Sequence, residues 1–290
     1  MKTTALTVLI CTLLTFVSFP AKSSQRRNLE ANKLTSSLIT SSAQDSLGYI
    51  WIGTEYGLNK YDGIGLTGYY KDQDDEKSLL DNSISTIYCD RTGRVWIGMT
   101  SGMQMYDYKS DSFKTVTFEG EDKRLNVTNI KQLVSGQILA IIYREGIFEV
   151  NPETMNAKPM QQLSMSCGTS FFTHIYEDRN HKLWIGTENM GVFCIWQKDN
   201  SRIRYSLGET YSMPIDHIAE STNGSIIVAC DGGIWVFDDK EETFSKMEQP
   251  DGTAIYVRDM ALLKNGDLIA AAEHQGLWRI EDNQNKAAKR

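Results

Sequence analysis

The sequence predicts an all-β fold, a β-propeller of about six visible four-stranded blades, and three observations predict it. A Trp-Ile-Gly motif between two turns occurs three times, at Trp51, Trp96 and Trp184. Its apolar equivalents continue at Leu139, Ile227 and Ile269, which places successive units 45, 43, 45, 43 and 42 residues apart. Glycine is frequent, with 22 residues against 5 prolines, as suits many short strands joined by tight turns. A period of this length with strand-type hydrophobicity marks one four-stranded sheet per repeat. A helical repeat would need long amphipathic runs of period 3.6, and the sequence shows none.

In chain order, the first element is a leader. Lys2 gives a positive start, Ala5 to Phe19 is apolar, and Ala21-Lys22-Ser23 offers small residues for cleavage. The apolar run is shorter than the roughly 20 residues of a membrane span. Residues 1–23 are therefore read as a signal peptide, 24–280 as the propeller and 281–290 as a polar tail. Loss of the leader removes Lys2 and Lys22 and no acid, so the formal charge of −7 becomes about −9. No basic block stands above the surface background, which argues against nucleic acid as a partner. Cys89, Cys167, Cys194 and Cys230 have neither zinc nor disulfide-framework spacing and read as free thiols.

Each unit divides in the same way. An inner strand carries apolar residues three apart: Ile84 and Ile87, Val127 and Ile130, Phe172 and Ile175, Ile215 and Ile218, Val257 and Met260. Ile39 and Ser42 are the weaker first pair. A turn rich in Asp, Asn, Ser and Gly follows, as at Asp90-Arg91-Thr92-Gly93. His181 stands where the first two motifs have glycine. The second strand, a turn marked by Gly57, Gly102, Gly146, Gly191, Gly233 or Gly276, and a third strand come next. Outer strands are read at 112–118, 202–207 and 243–247. The last unit stops at residue 280, and a strand near residues 27–31 would supply its outer edge as a clasp. The count fits a closed six-bladed ring or an incomplete seven-bladed one. In the second case, exposed edges predict a homodimer or aggregate. Trp51, Trp96 and Trp184 are read as structural fillers between blades, where burying each contributes roughly 2–3 kcal/mol.

The segment Gly-Tyr-Ile-Trp-Ile-Gly-Thr-Glu-Tyr-Gly-Leu-Asn-Lys-Tyr-Asp-Gly at residues 48–63, with 93–107 and 181–193, resembles the two-component regulator propeller repeat. The pattern continues more weakly to about residue 280. That family builds periplasmic sensor regions of hybrid two-component systems in Bacteroides-type bacteria, usually as seven-bladed rings. The resemblance implies a periplasmic ligand-sensing propeller for an oligosaccharide, with a histidine kinase, or the remainder of a hybrid sensor, as partner. After residue 24 no further apolar run is long enough to span a membrane, and no room remains for a kinase or receiver.

Two rings of polar residues are expected on the axial face. The first is at the turn tips and includes Glu55, Tyr56, Arg144, Glu188, Asn189, Asp231 and His274. The second lies within the inner strands and includes His174, Asp216, His217, Arg258 and Asp259. Mixed acids, amides, Arg and Tyr suit a hydroxyl-rich ligand. A metal held by the His and Asp residues, or calcium in the acidic rings, is the minor alternative, and the sequence calls for no cofactor. No catalytic motif is present. The competing readings are a propeller lyase or glycosidase, which needs a carboxylate pair or a Tyr/His base at the axis, and a protein–protein scaffold, which needs no polar axial site.

Overall fold

The computed structural model describes residues 33–290, apart from 121–124, 209–212, 248–255, 264, 273–274, 281–286 and 290. Six sheets, each with four antiparallel strands running from an inner strand outwards, stand in a ring as a six-bladed β-propeller. The inner strands are Ile39–Gln44, Ile84–Cys89, Val127–Gln132, Phe172–Glu177, Ile215–Glu220 and Val257–Leu262.

The odd spacing of apolar residues in these strands has a local cause. A strand alternates its faces with period two, so residues three apart belong on opposite sides. In all six blades the pairing of inner and second strands slips by one residue, between Ile39 and Ser41, Ile84 and Thr86, Val127 and Asn129, Phe172 and His174, Ile215 and His217, and Val257 and Asp259. This bulge resets the alternation and turns the polar residues between the apolar pair towards the axis. Ile84 and Ile87 thereby pack together on one blade face.

Five clusters of buried apolar residues fill five successive seams between blades. The face of one blade carrying the Ile84-type and Val95-type residues packs on the Trp51-type and Leu58-type face of the blade before it. The glycine of Trp-Ile-Gly is required by this approach. A Cβ on Gly53 would meet Ile84 Cγ2 at 2.5 Å, and one on Gly186 would meet Ile215 Cβ at 2.6 Å. Trp51, Trp96 and Trp184 are buried, as expected. Each indole Nε1–H donates to an aspartate six residues earlier: to Asp45 at 2.7 Å, Asp90 at 2.9 Å and Asp178 at 2.8 Å. The other oxygen of each carboxylate accepts two backbone N–H groups of its own turn. Burial raises the Asp90 carboxyl, and bonds from Trp96, Thr92 and Arg94 outweigh it, so its pKa lies below the usual range. Blades 3, 5 and 6 have Leu133, Ser221 and Leu263 in place of this aspartate, and Leu139, Ile227 and Ile269 in place of the tryptophan. Donor and acceptor are lost together, which avoids an orphaned buried group.

Some boundaries differ from the sequence reading. The second outer strand ends at Thr115. Thr117–Phe118 leaves its own blade and pairs in parallel with Asn156–Pro159, adding a fifth strand to blade 3. Val116 N–H is held by Met103 O at 2.9 Å, while Thr117 N–H goes to Met155 O at 2.8 Å, and this divides the segment. Among the described residues, the fourth strand of the last blade comes from the C-terminal end. Ala287–Lys289, read above as tail, pairs with Trp278–Ile280, and the proposed clasp lies outside the described residues. A helix at Gln161–Cys167, not expected from the sequence, places Cys167 and Leu163 against the seam between blades 3 and 4. His181 adopts φ 61°, the left-handed conformation its glycine counterparts at Gly48 and Gly93 also take. The four described cysteines are free, and burial pushes the Cys89 and Cys194 thiols up to about 12.

Candidate functional site: the axial cavity

The bulges place one polar side chain per blade at the same register: Ser41, Thr86, Asn129, His174, His217 and Asp259. All six line an axial cavity of about 580 Å³. Ser85, Thr128, Asp216 and Arg258, one residue earlier in their strands, line it as well. The ring is chemically uneven. Blades 1 to 3 contribute hydroxyls, an amide and the amine of Lys131, while blades 4 to 6 contribute two imidazoles, carboxylates and a guanidinium.

The ionisable half forms two groups. The rings of His174 and His217 lie 4.4 Å apart between centroids, and His217 Nδ1 is 2.8 Å from Asp259 Oδ1. Arg258 bridges Asp216 at 3.2 Å and Asp231 at 2.9 Å. His174 is buried, and its Nδ1 accepts the Ile218 N–H at 3.2 Å, which leaves the proton of the neutral ring on Nε2. Desolvation, then the nearby His217 and Lys131, hold its pKa well below the ordinary imidazole value. Partial enclosure by the channel wall raises the Asp259 carboxyl, but the bond from His217 and its charge more than offset this and the net shift is downward. Lys131 lines the same cavity with Nζ 5.2 Å from the Tyr176 ring centre, and desolvation lowers its pKa. Asn129 Oδ1 and Thr173 Oγ1 are buried without a hydrogen-bond partner among the described residues.

The structure therefore brings together His174, Asp216, His217, Arg258 and Asp259. It does not bring the turn-tip residues into the cavity. Glu55, Tyr56, Arg144 and Asn189 are exposed, Glu188 is half-buried, and all five lie on the rim. Each of these turns is tied back to the entry of its own inner strand, as by Glu55 N–H to Leu38 O at 3.1 Å and Glu188 N–H to Phe171 O at 3.0 Å. The tips thus share the axial face but stand outside the channel. Asp231 alone of them reaches the inner group, through Arg258. His274 lies outside the described residues. Sequence reading missed Lys131 and Ser41. The signal for Lys131 was its register: the other blades have Ala43, Tyr88, Tyr176, Ala219 and Ala261 there. Among the described residues, no three His, Cys, Asp or Glu side chains converge to hold a metal ion.

A family model described as "Two component regulator propeller" matches residues 33–56, 78–101 and 168–189. Three stretches of this chain match the regulator propeller repeat. The matched stretches run from the inner-strand entry to the following turn tip in blades 1, 2 and 4, the blades that keep the paired aspartate and tryptophan. No curated protein matches the chain. Among solved structures, it is similar to the extracellular domain of a hybrid two-component system from B. thetaiotaomicron, at 24% identity and TM-score 0.75, over 88% of this chain and 36% of that one. A second such domain from the same organism matches at 20% identity and TM-score 0.72, over 91% and 39%. Virginiamycin B lyase from Staphylococcus aureus matches at 12% identity and TM-score 0.67, over 89% and 86%. At these identities the likeness shows the propeller fold alone. The chain spans little more than a third of the length of the two-component domains it matches. No helix among the described residues is long and apolar enough to cross a membrane.

Proposed function

We propose that this chain is an exported, periplasmic ligand-sensing propeller that binds an oligosaccharide in the axial cavity and works with a histidine kinase outside its own 290 residues. The observation that carries the reading is the ring of six polar side chains at one register around a cavity of about 580 Å³. Hydroxyls and an amide on one side, with oriented ionised groups on the other, supply donors and acceptors for a hydroxyl-rich ligand. The buried, unpaired Asn129 Oδ1 in the wall adds an acceptor in need of a donor. The repeats support membership of a sensor. Relay would follow from differential affinity for two arrangements of the domain.

The test is thermal unfolding against a panel of neutral and acidic oligosaccharides. A ligand at about a hundred times its dissociation constant stabilises by roughly 2.7 kcal/mol. One glycan class should raise the midpoint, and His217→Ala with Arg258→Ala should abolish the rise. A midpoint that no glycan moves at millimolar concentration rejects the reading. The pairing of His217 with Asp259 favours one second reading, an enzyme with an oriented imidazole base. New reducing ends or unsaturated products after incubation with the same panel would support it over a binding role.

A further inference from the structure

Among the described residues, Lys131 is the one cation in the wall of the axial cavity that the protein leaves without an anion. It is half-buried and belongs to the wall on blade 3. The acids of the wall are answered by other groups: Asp259 by His217, and Asp216 by Arg258, which also binds Asp231. Lys131 Nζ has neither a hydrogen-bond acceptor nor an ion pair among the described residues, and lies over the Tyr176 ring. Glu177 acts on it through charge alone. That carboxylate is already taken. Its Oε2 accepts the Val134 N–H at 2.5 Å, and its Oε1 faces Gln197 Nε2 at 3.0 Å and His181 Nδ1 at 3.1 Å. An ammonium drawn out of bulk water without a counter-ion is destabilising.

A second donor on the next blade is also unanswered. His174 is only 8% exposed, and its Nδ1 accepts the Ile218 N–H, so the proton sits on Nε2. Nε2 has no acceptor among the described residues, and the ring lies near enough to Lys131 to feel its charge. Two N–H groups without an acceptor therefore belong to one cavity wall, on adjacent blades. Asn129 Oδ1, two residues before Lys131 on the same strand, is the reverse: a buried acceptor without a donor.

We propose that Lys131 and His174 form a carboxylate subsite in the axial cavity, so that the sugar unit held there is a uronic acid rather than a neutral residue. This rests on the oligosaccharide reading of the cavity and narrows it. Lys131 Nζ and His174 Nε2 each donate to one carboxylate oxygen, and Asn129 Oδ1 accepts from a hydroxyl of the same unit. A neutral sugar leaves the ammonium unanswered, whereas an acidic one supplies the missing counter-charge.

The test is calorimetric titration of the full chain with oligogalacturonate and oligoglucuronate, each beside its methyl ester, and with a sulfated neutral oligosaccharide. The ester keeps ring and hydroxyls and removes the charge. At least one acid should bind about ten-fold or more tightly than its ester. Lys131→Met keeps an apolar stem over Tyr176 and should bring that ratio close to one, while Lys131→Arg should retain most of it. Without ligand, Lys131→Met should unfold no lower than the unaltered chain, because it removes an unpaired charge; a lower midpoint would show a structural lysine and overturn the subsite. Acid and ester bound alike, or a preference that survives Lys131→Met, overturns the subsite and leaves the oligosaccharide reading standing. Preference for the sulfated sugar over both acids overturns the carboxylate. If no glycan of either charge binds, the oligosaccharide reading fails and the subsite with it.

Discussion

Blade 1 has two faces made by the same short strands, and they behave as if they belonged to different proteins. On one, Trp51 and Leu58 are sealed against blade 2, with the indole bonded to Asp45. On the other, Ile39 and Ile50 meet solvent although their counterparts in every other blade are buried. Local sequence is of the same kind on both sides, so the difference lies in the neighbour. An apolar side chain contributes to stability here only when another blade removes it from water.

Five predictions sharpen this contrast, in order of expected effect. Trp51→Ala, which opens a large cavity in a filled seam, should cost about 3–5 kcal/mol by urea unfolding. Ile84→Ala, in the same seam, should cost about 2–4 kcal/mol. Asp178→Ala strands the Trp184 indole and two backbone N–H groups of its turn, and a loss of about 2–3 kcal/mol is expected. In that background Trp184→Phe should cost less than it does alone, a coupling a double-mutant cycle would read. Equal cost in both backgrounds would break the paired device. His174 gives a pH signature. Its folded pKa is depressed by burial, so the unfolded chain binds a proton near pH 6.5 and below that the folded chain resists. Its contribution to stability is complete above that pH and declines as pH falls below it. His174→Asn keeps an acceptor for Ile218 N–H and should remove that part of the pH dependence, measured by unfolding at pH 5.5 and 7.5. Ile39→Ala, at the register of Ile84 but on the exposed face, should change stability by less than about 0.5 kcal/mol. A larger loss would mean that this face is covered in solution.

A second comparison shows how closely the device is repeated. In the seam of blades 1 and 2, Trp51 stacks on Tyr69 at 5.9 Å and meets Tyr106 edge-on at 4.6 Å. In the seam of blades 4 and 5, Trp184 stacks on Tyr205 at 6.0 Å and meets Phe237 at 5.0 Å. Around its tryptophan the first seam adds polar bonds, since Tyr69 and Tyr106 both donate to Asp111. Lys60 Nζ also lies 5.1 Å from the Tyr106 ring centre, beside Trp51 and Tyr69. Apolar packing sets the common geometry, and hydrogen bonding is laid over it where the residues allow.

Repeat period, strand order and the burial of the three tryptophans were all legible in the sequence, because each depends on patterns within about 45 residues. The inner-strand half of the site was legible for the same reason: the apolar spacing of three marks a bulge, and a bulge turns the residues between towards the axis. What the sequence alone could not decide depends on neighbours outside each unit. The turn tips stand outside the channel because they join the second and third strands, one strand removed from the axis. Thr117–Phe118 and Ala287–Lys289 pair where an edge was available, which local propensity does not show. The grouping of His174, His217 and Asp259, and the exposure of Ile39, Ile50 and Leu277 where the other blades bury their counterparts, arise only when six sheets are set around one axis, since each is a relation between blades rather than a property of any one.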